Sequence, residues 1–173
     1  SVSAIIYDKG SSVLNMFNNT RGKANFQKSL QDYLQKHAYT SVVTDQLFSE
    51  FANNWNYPGQ DAKEFLRSWT YQPGFPYLNI TYNSATQTYS YTQERFLQSG
   101  ARPSREYTYV IPFSYYKLNA KTRALESSTI QFLKDKSGTL PSDFSNSVKV
   151  NPSFNGFYLV NYPEAYWTEL ADK

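Results

Sequence analysis

The sequence predicts an α+β fold, in which a helical bundle is followed by an antiparallel β-sandwich and then by a helical stub. Three observations support this prediction. Apolar residues recur at three-to-four spacing in the first seventy residues, they alternate with polar residues in the later ones, and a segment rich in proline and glycine, 72–76, separates the two patterns. We therefore expect three regions, 1–72, 73–162 and 163–173.

Four short helices are predicted in the first region. The first should end at the polar stretch 18–22, and the second should begin near Asn25, a residue type that often caps helices. The third should begin at Thr44 or Asp45, and the fourth should cover about 61–70. Because helices of this length are marginal in isolation, they must bury their apolar stripes against one another or against a further partner.

About six strands are predicted in the second region. The clearest alternation runs from Tyr107 to Tyr115, and Pro112 within it indicates an edge strand or a bulge. The other strands are expected at 78–82, 89–96, 129–133, 147–150 and 157–162. A last helix should begin at Pro163-Glu164, because proline is favoured in the first turn of a helix and an acidic residue suits its positive end.

The composition excludes several classes of function. A net charge of +3, spread over 17 basic and 14 acidic residues, provides no basic patch for nucleic acid, so we expect no nucleic-acid partner. The absence of cysteine excludes disulfides and thiolate metal sites. A single histidine, His37, is interpreted as a structural residue at the end of the second helix, where a cationic ring would favour the helix dipole, and no metal ligand is predicted.

Two glycosylation sequons bear on location. They begin at Asn18 and at Asn79, which are the candidate N-glycosylation sites. The opening residues 1–6 have no basic region and are too short for a signal peptide, and no run approaches the ~20 apolar residues of a membrane span. The lack of an initiator Met favours a segment cut from a longer chain.

Three stretches in order resemble zinc aminopeptidases of the M1 (gluzincin) family. Tyr7-Asp8-Lys9-Gly10 is similar to the Tyr-x-Lys-Gly segment that opens a catalytic-domain helix in that family. Trp69-Thr70-Tyr71-Gln72-Pro73-Gly74-Phe75-Pro76 resembles the junction between catalytic domain and sandwich. Gly156-Phe157-Tyr158-Leu159-Val160-Asn161-Tyr162 is similar to the segment that closes the sandwich, with Leu159 where the family commonly has Arg.

The resemblance implies a segment of a peptidase that removes N-terminal residues from peptides. It runs from the end of the catalytic domain through the β-sandwich to the start of the C-terminal helical domain. The family binds zinc through His-Glu-x-x-His and a later Glu, and holds the substrate amine with Gly-x-Met-Glu-Asn. Neither motif occurs here, so the resemblance assigns zinc to a parent enzyme and predicts that the chain by itself is inactive. Its partners would then be the rest of the aminopeptidase chain and, in the parent, a peptide substrate.

One catalytic residue of the family has a counterpart here. Tyr7 matches the family tyrosine whose phenol donates to the oxyanion of the tetrahedral intermediate, and a phenol suits that role because it stays protonated at pH 7. The alternative for Tyr7 is a packing role near a helix start. Asp8 is interpreted mainly as a helix cap, with orientation of Tyr7 as the alternative.

Two other functions stay open at this point. The chain could be a non-catalytic M1-like binding or scaffold module, or an unrelated carbohydrate-binding sandwich, which the helical first region disfavours. The compartment is expected to be extracellular, as part of a membrane-anchored ectoenzyme, because of the two sequons. The alternative is cytoplasmic.

Overall fold

The structure is a computed structural model that describes residues 4–53, 55–98, 105–119 and 121–171. It divides into two compact units, Ser1–Pro73 and Gly74–Lys173. The first contains helices only and the second carries all of the described strands, so the predicted α+β class is confirmed. The division into three regions stays a prediction.

Unit 1 contains a five-residue π-helical turn, Ala4–Asp8, followed by four α-helices. These are α1 (Lys9–Arg21), α2 (Lys23–Lys36), α3 (Thr44–Ala52) and α4 (Ala62–Thr70). The predicted starts of α3 and α4 are confirmed, and α4 is capped by Asp61, whose side chain accepts from the Lys63 backbone N–H at 2.8 Å. The predicted Asn25 cap is wrong, because α2 begins at Lys23 and the Asn25 amide contacts the Arg21 carbonyl at 3.4 Å instead.

The predicted end of the first helix is also wrong, since α1 continues through the polar stretch to Arg21. The Thr20 hydroxyl donates to the Met16 carbonyl at 2.8 Å, which satisfies that side chain within the helix. The buried Arg21 guanidinium donates to the carbonyls of Phe51 and Asn53 at the end of α3. Polar composition therefore marks a helix–helix contact here, and Gly22, at φ 86°, supplies the turn into α2.

The core of unit 1 is an aromatic cluster around Phe17. Its ring lies 5.0 Å from Phe51, 5.6 Å from Trp55 and 5.8 Å from Phe65, all between ring centroids. Trp69 is fully buried in the same unit. Since each such side chain removes a large apolar area from water, this cluster holds α1, α3 and α4 together.

Unit 2 contains nine strands among its described residues, followed by α5 (Glu164–Ala171). The strands are β1 (Pro76–Asn83), β2 (Thr88–Arg95), β3 (Ile111–Phe113), β4 (Tyr115–Leu118), β5 (Leu125–Ser127), β6 (Gln131–Leu133), β7 (Ser137–Thr139), β8 (Ser147–Val150) and β9 (Leu159–Asn161). Hydrogen bonding orders them as β7-β2-β1-β9, β3-β6 and β5-β4-β8. All pairs are antiparallel except β1 with β9, which are parallel.

The continuous strand predicted from Tyr107 to Tyr115 is wrong. Only Ile111–Phe113 and Tyr115–Leu118 are strands, and the chain passes from one sheet to another at Ser114. At Tyr109 the side chain of Gln93 takes the place of a neighbouring strand, because its amide bonds both the N–H and the carbonyl of Tyr109. Pro112 lies in the two-stranded β3–β6 ladder, where both strands are edges, as its missing donor predicts.

Candidate functional site

Tyr7 lies in the π-helical turn immediately before α1. Its side chain is 73% exposed, and among the residues that the structure describes no group forms a hydrogen bond with its hydroxyl. Single π turns are rare and occur frequently at functional sites, because the wide turn changes the direction in which side chains project. The position presents a phenol O–H that is free to donate to a group outside this chain.

The turn that carries Tyr7 is fixed by three side chains on α1. The Lys9 ammonium donates to the carbonyl of Gln72, just beyond the end of α4. The hydroxyls of Ser11 and Ser12 donate to the Asp8 carbonyl at 3.0 and 2.7 Å. The predicted side-chain cap by Asp8 is wrong, since its carboxylate forms no capping hydrogen bond and only its carbonyl is engaged.

The helix behind Tyr7 is anchored in the core of unit 1. Val13, Met16 and Phe17 are buried on its inner face. Because core side chains are close-packed and interdigitated, α1 has little freedom to rotate or slide. Tyr7 is therefore an exposed side chain at the end of a rigid element.

His37 lies where the sequence predicted, at the C-terminal end of α2. Its ring packs 5.2 Å from Tyr33, and its Nε2 lies 3.9 Å from Oε1 of the buried Glu50. The Glu50 carboxylate is already bound by the Lys36 ammonium at 2.5 Å and by the Asn53 amide at 2.8 Å. The His37 Nε2 is buried without a hydrogen-bond partner among the described residues, and the structural role of the histidine stays a prediction.

The residues around His37 do not fit a zinc site. Zinc in a catalytic site takes three protein ligands and keeps one position open. The one carboxylate near His37 is paired with an ammonium, and nowhere in the described ranges do three or more His, Cys, Asp or Glu side chains come together.

The two sequons differ in their surroundings. The Asn18 carboxamide lies on α1, and its Oδ1 is buried without a hydrogen-bond partner among the described residues. Asn79 lies on β1 in a half-buried position, where its Oδ1 accepts from the Asn161 amide at 2.8 Å, and Thr81 is exposed. Both asparagines are partly buried, but Thr20 of the first sequon is buried with its hydroxyl bonded to the Met16 carbonyl, whereas Thr81 of the second is exposed.

An apolar groove of about 650 Å³ lies between α1, α2 and α3. Leu14, Phe26, Leu30, Leu47 and Phe51 provide its apolar walls. Leu14 is 43% exposed there, so the groove is open on one side. Tyr7 is not part of its lining, and the groove and the tyrosine are separate features.

Sequence reasoning missed the contact between Lys9 and Gln72. The two residues are 63 positions apart, and nothing in local periodicity pairs them. The one available signal was that each belongs to a motif resembling the same family, since residues of separate motifs often meet in space.

Comparison with known proteins identifies relatives for almost the whole chain. Residues 2–69 match the peptidase family M1 domain. Human (Homo sapiens) glutamyl aminopeptidase is 33% identical over 177 residues that cover 96% of this chain. Aminopeptidase 2, mitochondrial, of Saccharomyces cerevisiae is 27% identical over 98% of the chain, and human endoplasmic reticulum aminopeptidase 1 is 25% identical over 96%.

These relatives are much longer than the chain. The matched region covers 17% of human glutamyl aminopeptidase, 17% of the yeast enzyme and 20% of the endoplasmic reticulum enzyme. The family model covers the helices of unit 1 up to Trp69 in α4, and the alignments with these relatives extend over nearly the whole chain. The chain therefore belongs to the M1 aminopeptidase family, of which it represents a segment.

Proposed function

We propose that this chain is part of a zinc-dependent aminopeptidase that removes N-terminal residues from peptides, and that Tyr7 is its oxyanion-stabilising residue. The observation that carries the proposal is the exposed phenol of Tyr7, which has no hydrogen-bond partner within the described ranges and lies on an anchored π turn. When the scissile carbonyl becomes tetrahedral, negative charge develops on its oxygen. A prepositioned neutral O–H donor stabilises that charge without reorganisation.

The chain alone is proposed to be catalytically incompetent. The metal ligands and the groups that bind the substrate amine are assigned to the rest of the parent polypeptide, which is also the principal partner of this segment. The strands of unit 2 then form the β-sandwich domain that joins the catalytic domain to a C-terminal helical domain, which begins at α5. The isolated chain is expected to bind no stoichiometric zinc and to cleave no aminoacyl-coumarin, and turnover that a chelator abolishes would contradict this.

Tyr7→Phe in the full-length parent tests the role of the tyrosine. Loss of one oxyanion donor typically lowers kcat by ~10²–10³-fold, and KM should change little because the bond forms with the developing charge. Tyr39→Phe is the matched control, since Tyr39 is also highly exposed and has no proposed role. An unchanged kcat for Tyr7→Phe would show that the phenol does not stabilise the oxyanion and would leave Tyr7 with a packing role.

We further propose an extracellular location, as part of a membrane-anchored ectoenzyme. The support is the sequon at Asn79, whose environment is compatible with a glycan on its amide nitrogen. None of the helices in the described part of the chain is both long and apolar enough to cross a bilayer. The names of two relatives refer to the mitochondrion and the endoplasmic reticulum, so the family occupies more than one compartment.

A further inference from the structure

The contact between Lys9 and Gln72 joins the two motifs of unit 1. Lys9 is the first residue of α1, and Gln72 follows Tyr71, the C-cap of α4. The Lys9 ammonium donates to the Gln72 carbonyl. The Gln72 side chain in turn donates to the Ser68 carbonyl at 2.8 Å, which fixes the acceptor against α4.

The Lys9 contact ties the helical segment that carries Tyr7 to a neighbouring element. Asp8 has α-helical backbone angles (φ −71°, ψ −46°), so the π turn runs directly into α1 as one continuous helical segment. A charge-assisted hydrogen bond, stronger than a neutral one, ties the first residue of α1 to a second helix.

We propose that Lys9 is a positioning residue that holds the Tyr7 phenol in its productive place. The proposal rests on the proposed function of Tyr7. Tyr7 lies two residues before Lys9, so the tether fixes the backbone from which the phenol projects. Lys9 is half-buried and donates to a carbonyl of its own chain, so we assign it a role that acts through Tyr7.

The expected effect follows from the geometric demands of catalysis. A displacement of about 1 Å in a catalytic group can cost ~10²-fold in rate, although ground-state binding is unaffected. Lys9→Met keeps the length of the side chain and removes its donor. In the full-length enzyme we expect this variant to lower kcat by about 10- to 100-fold with an unchanged KM. Lys9→Arg, which can still reach a carbonyl, should retain most of the activity.

A double-mutant cycle separates positioning from general destabilisation. If Lys9 acts only through the phenol, Lys9→Met should cause no further loss of kcat in the Tyr7→Phe background. Lys28→Met is the surface control, because Lys28 is exposed and its ion pair with Asp32 lies within α2. Equal losses in both backgrounds, a change in KM alone, or no loss from Lys9→Met would overturn the proposal.

The cycle also distinguishes the two proposals from each other. If Tyr7→Phe leaves kcat unchanged, the role of Tyr7 fails and the role of Lys9 fails with it. If Tyr7→Phe lowers kcat and Lys9→Met does not, only the positioning role is wrong. Should Lys9→Met not fold, Lys9→Leu in the same cycle provides the decision, since it also removes the donor and is expected to show the same dependence on Tyr7.

Discussion

The buried amide of Gln93 holds unit 2 together at a point where no strand is available. Its side chain is fully buried on β2. The amide nitrogen donates to the carbonyls of Tyr109 and Asp135 at 3.0 and 2.9 Å, and the amide oxygen accepts from the Tyr109 N–H at 2.9 Å. One side chain thus connects β2 to the segment before β3 and to the turn between β6 and β7.

Gln93→Met removes these three bonds and keeps the volume of the side chain. Each intramolecular hydrogen bond contributes about 1 kcal/mol net, and a buried group deprived of its partner costs ~1–3 kcal/mol. We therefore expect the free energy of unfolding to fall by about 3 kcal/mol or more. Against a typical total of ~5–15 kcal/mol, this is a large share.

Urea unfolding of the 173-residue chain, followed by circular dichroism, measures the loss. A decrease of about 3 kcal/mol should move the unfolding midpoint of unit 2 by about 1 M or more. Glu94→Gln is the control, because Glu94 is the next residue of β2 and its side chain is exposed. A midpoint shift no larger than that of Glu94→Gln would refute the claim that the hydrogen bonds of Gln93 stabilise unit 2.

Two further predictions concern ionisation and glycosylation. Burial raises the pKa of Tyr109 to about 12 and also raises that of Tyr162, so the folded state favours the neutral form of both phenols. The contribution of the two phenols to the free energy of unfolding is complete below the ordinary phenol pKa of 10 and is lost as pH rises towards 12. Phenolate absorbance from these residues should therefore appear together with loss of circular dichroism. Ionisation of a chain that stays folded would contradict this prediction. In protein secreted by eukaryotic cells, Asn79→Gln should abolish an endoglycosidase-sensitive mobility shift and Asn18→Gln should not, because Thr20 of the first sequon is buried and Thr81 of the second is exposed. A glycan found on Asn18 alone would reverse that assignment.

Local periodicity predicted the elements whose partners are also local. Helix α4 has its apolar residues on one face and Asp61 before it, and both its start and its end follow from these signals. The end of α1 could not be predicted in this way, because the Arg21 guanidinium donates to carbonyls at the end of α3, about thirty residues later in the chain. Polar residues at 18–21 look like a helix end only when that partner is unknown.

Alternation alone could not predict where the strand of 107–115 divides. The side chains alternate throughout, but pairing depends on what lies beside the backbone. At Tyr109 that neighbour is the side chain of Gln93, and at Ser114 the carbonyl accepts the N–H of Asn151. Both are non-local contacts, and neither is encoded in the period of the segment itself.

The candidate site was reached by resemblance, since physical reasoning on one sequence gave Tyr7 no distinction from 15 other tyrosines. The structure adds what the motif could not contain, namely the π turn and the tether from Lys9 to Gln72. Both depend on residues brought together by folding. The proposed role of Tyr7 therefore comes from the resemblance to the family, and the contacts around it are visible only in three dimensions.

Several residues of the closing motif are explained by contacts within the chain. A Cβ on Gly156 would lie 2.2 Å from Cε1 of Tyr158, so the ring requires glycine there. The Tyr162 hydroxyl accepts the N–H of Val150 at 2.8 Å. Leu159, where the family commonly has Arg, is 43% exposed and can differ without disturbing the core. The Tyr7 phenol makes no hydrogen bond with any described residue, but Tyr39 is more exposed still, so exposure alone assigns no role. What distinguishes Tyr7 is its place in the π turn within the Tyr-x-Lys-Gly segment, and the comparison of Tyr7→Phe with Tyr39→Phe tests whether that place matters.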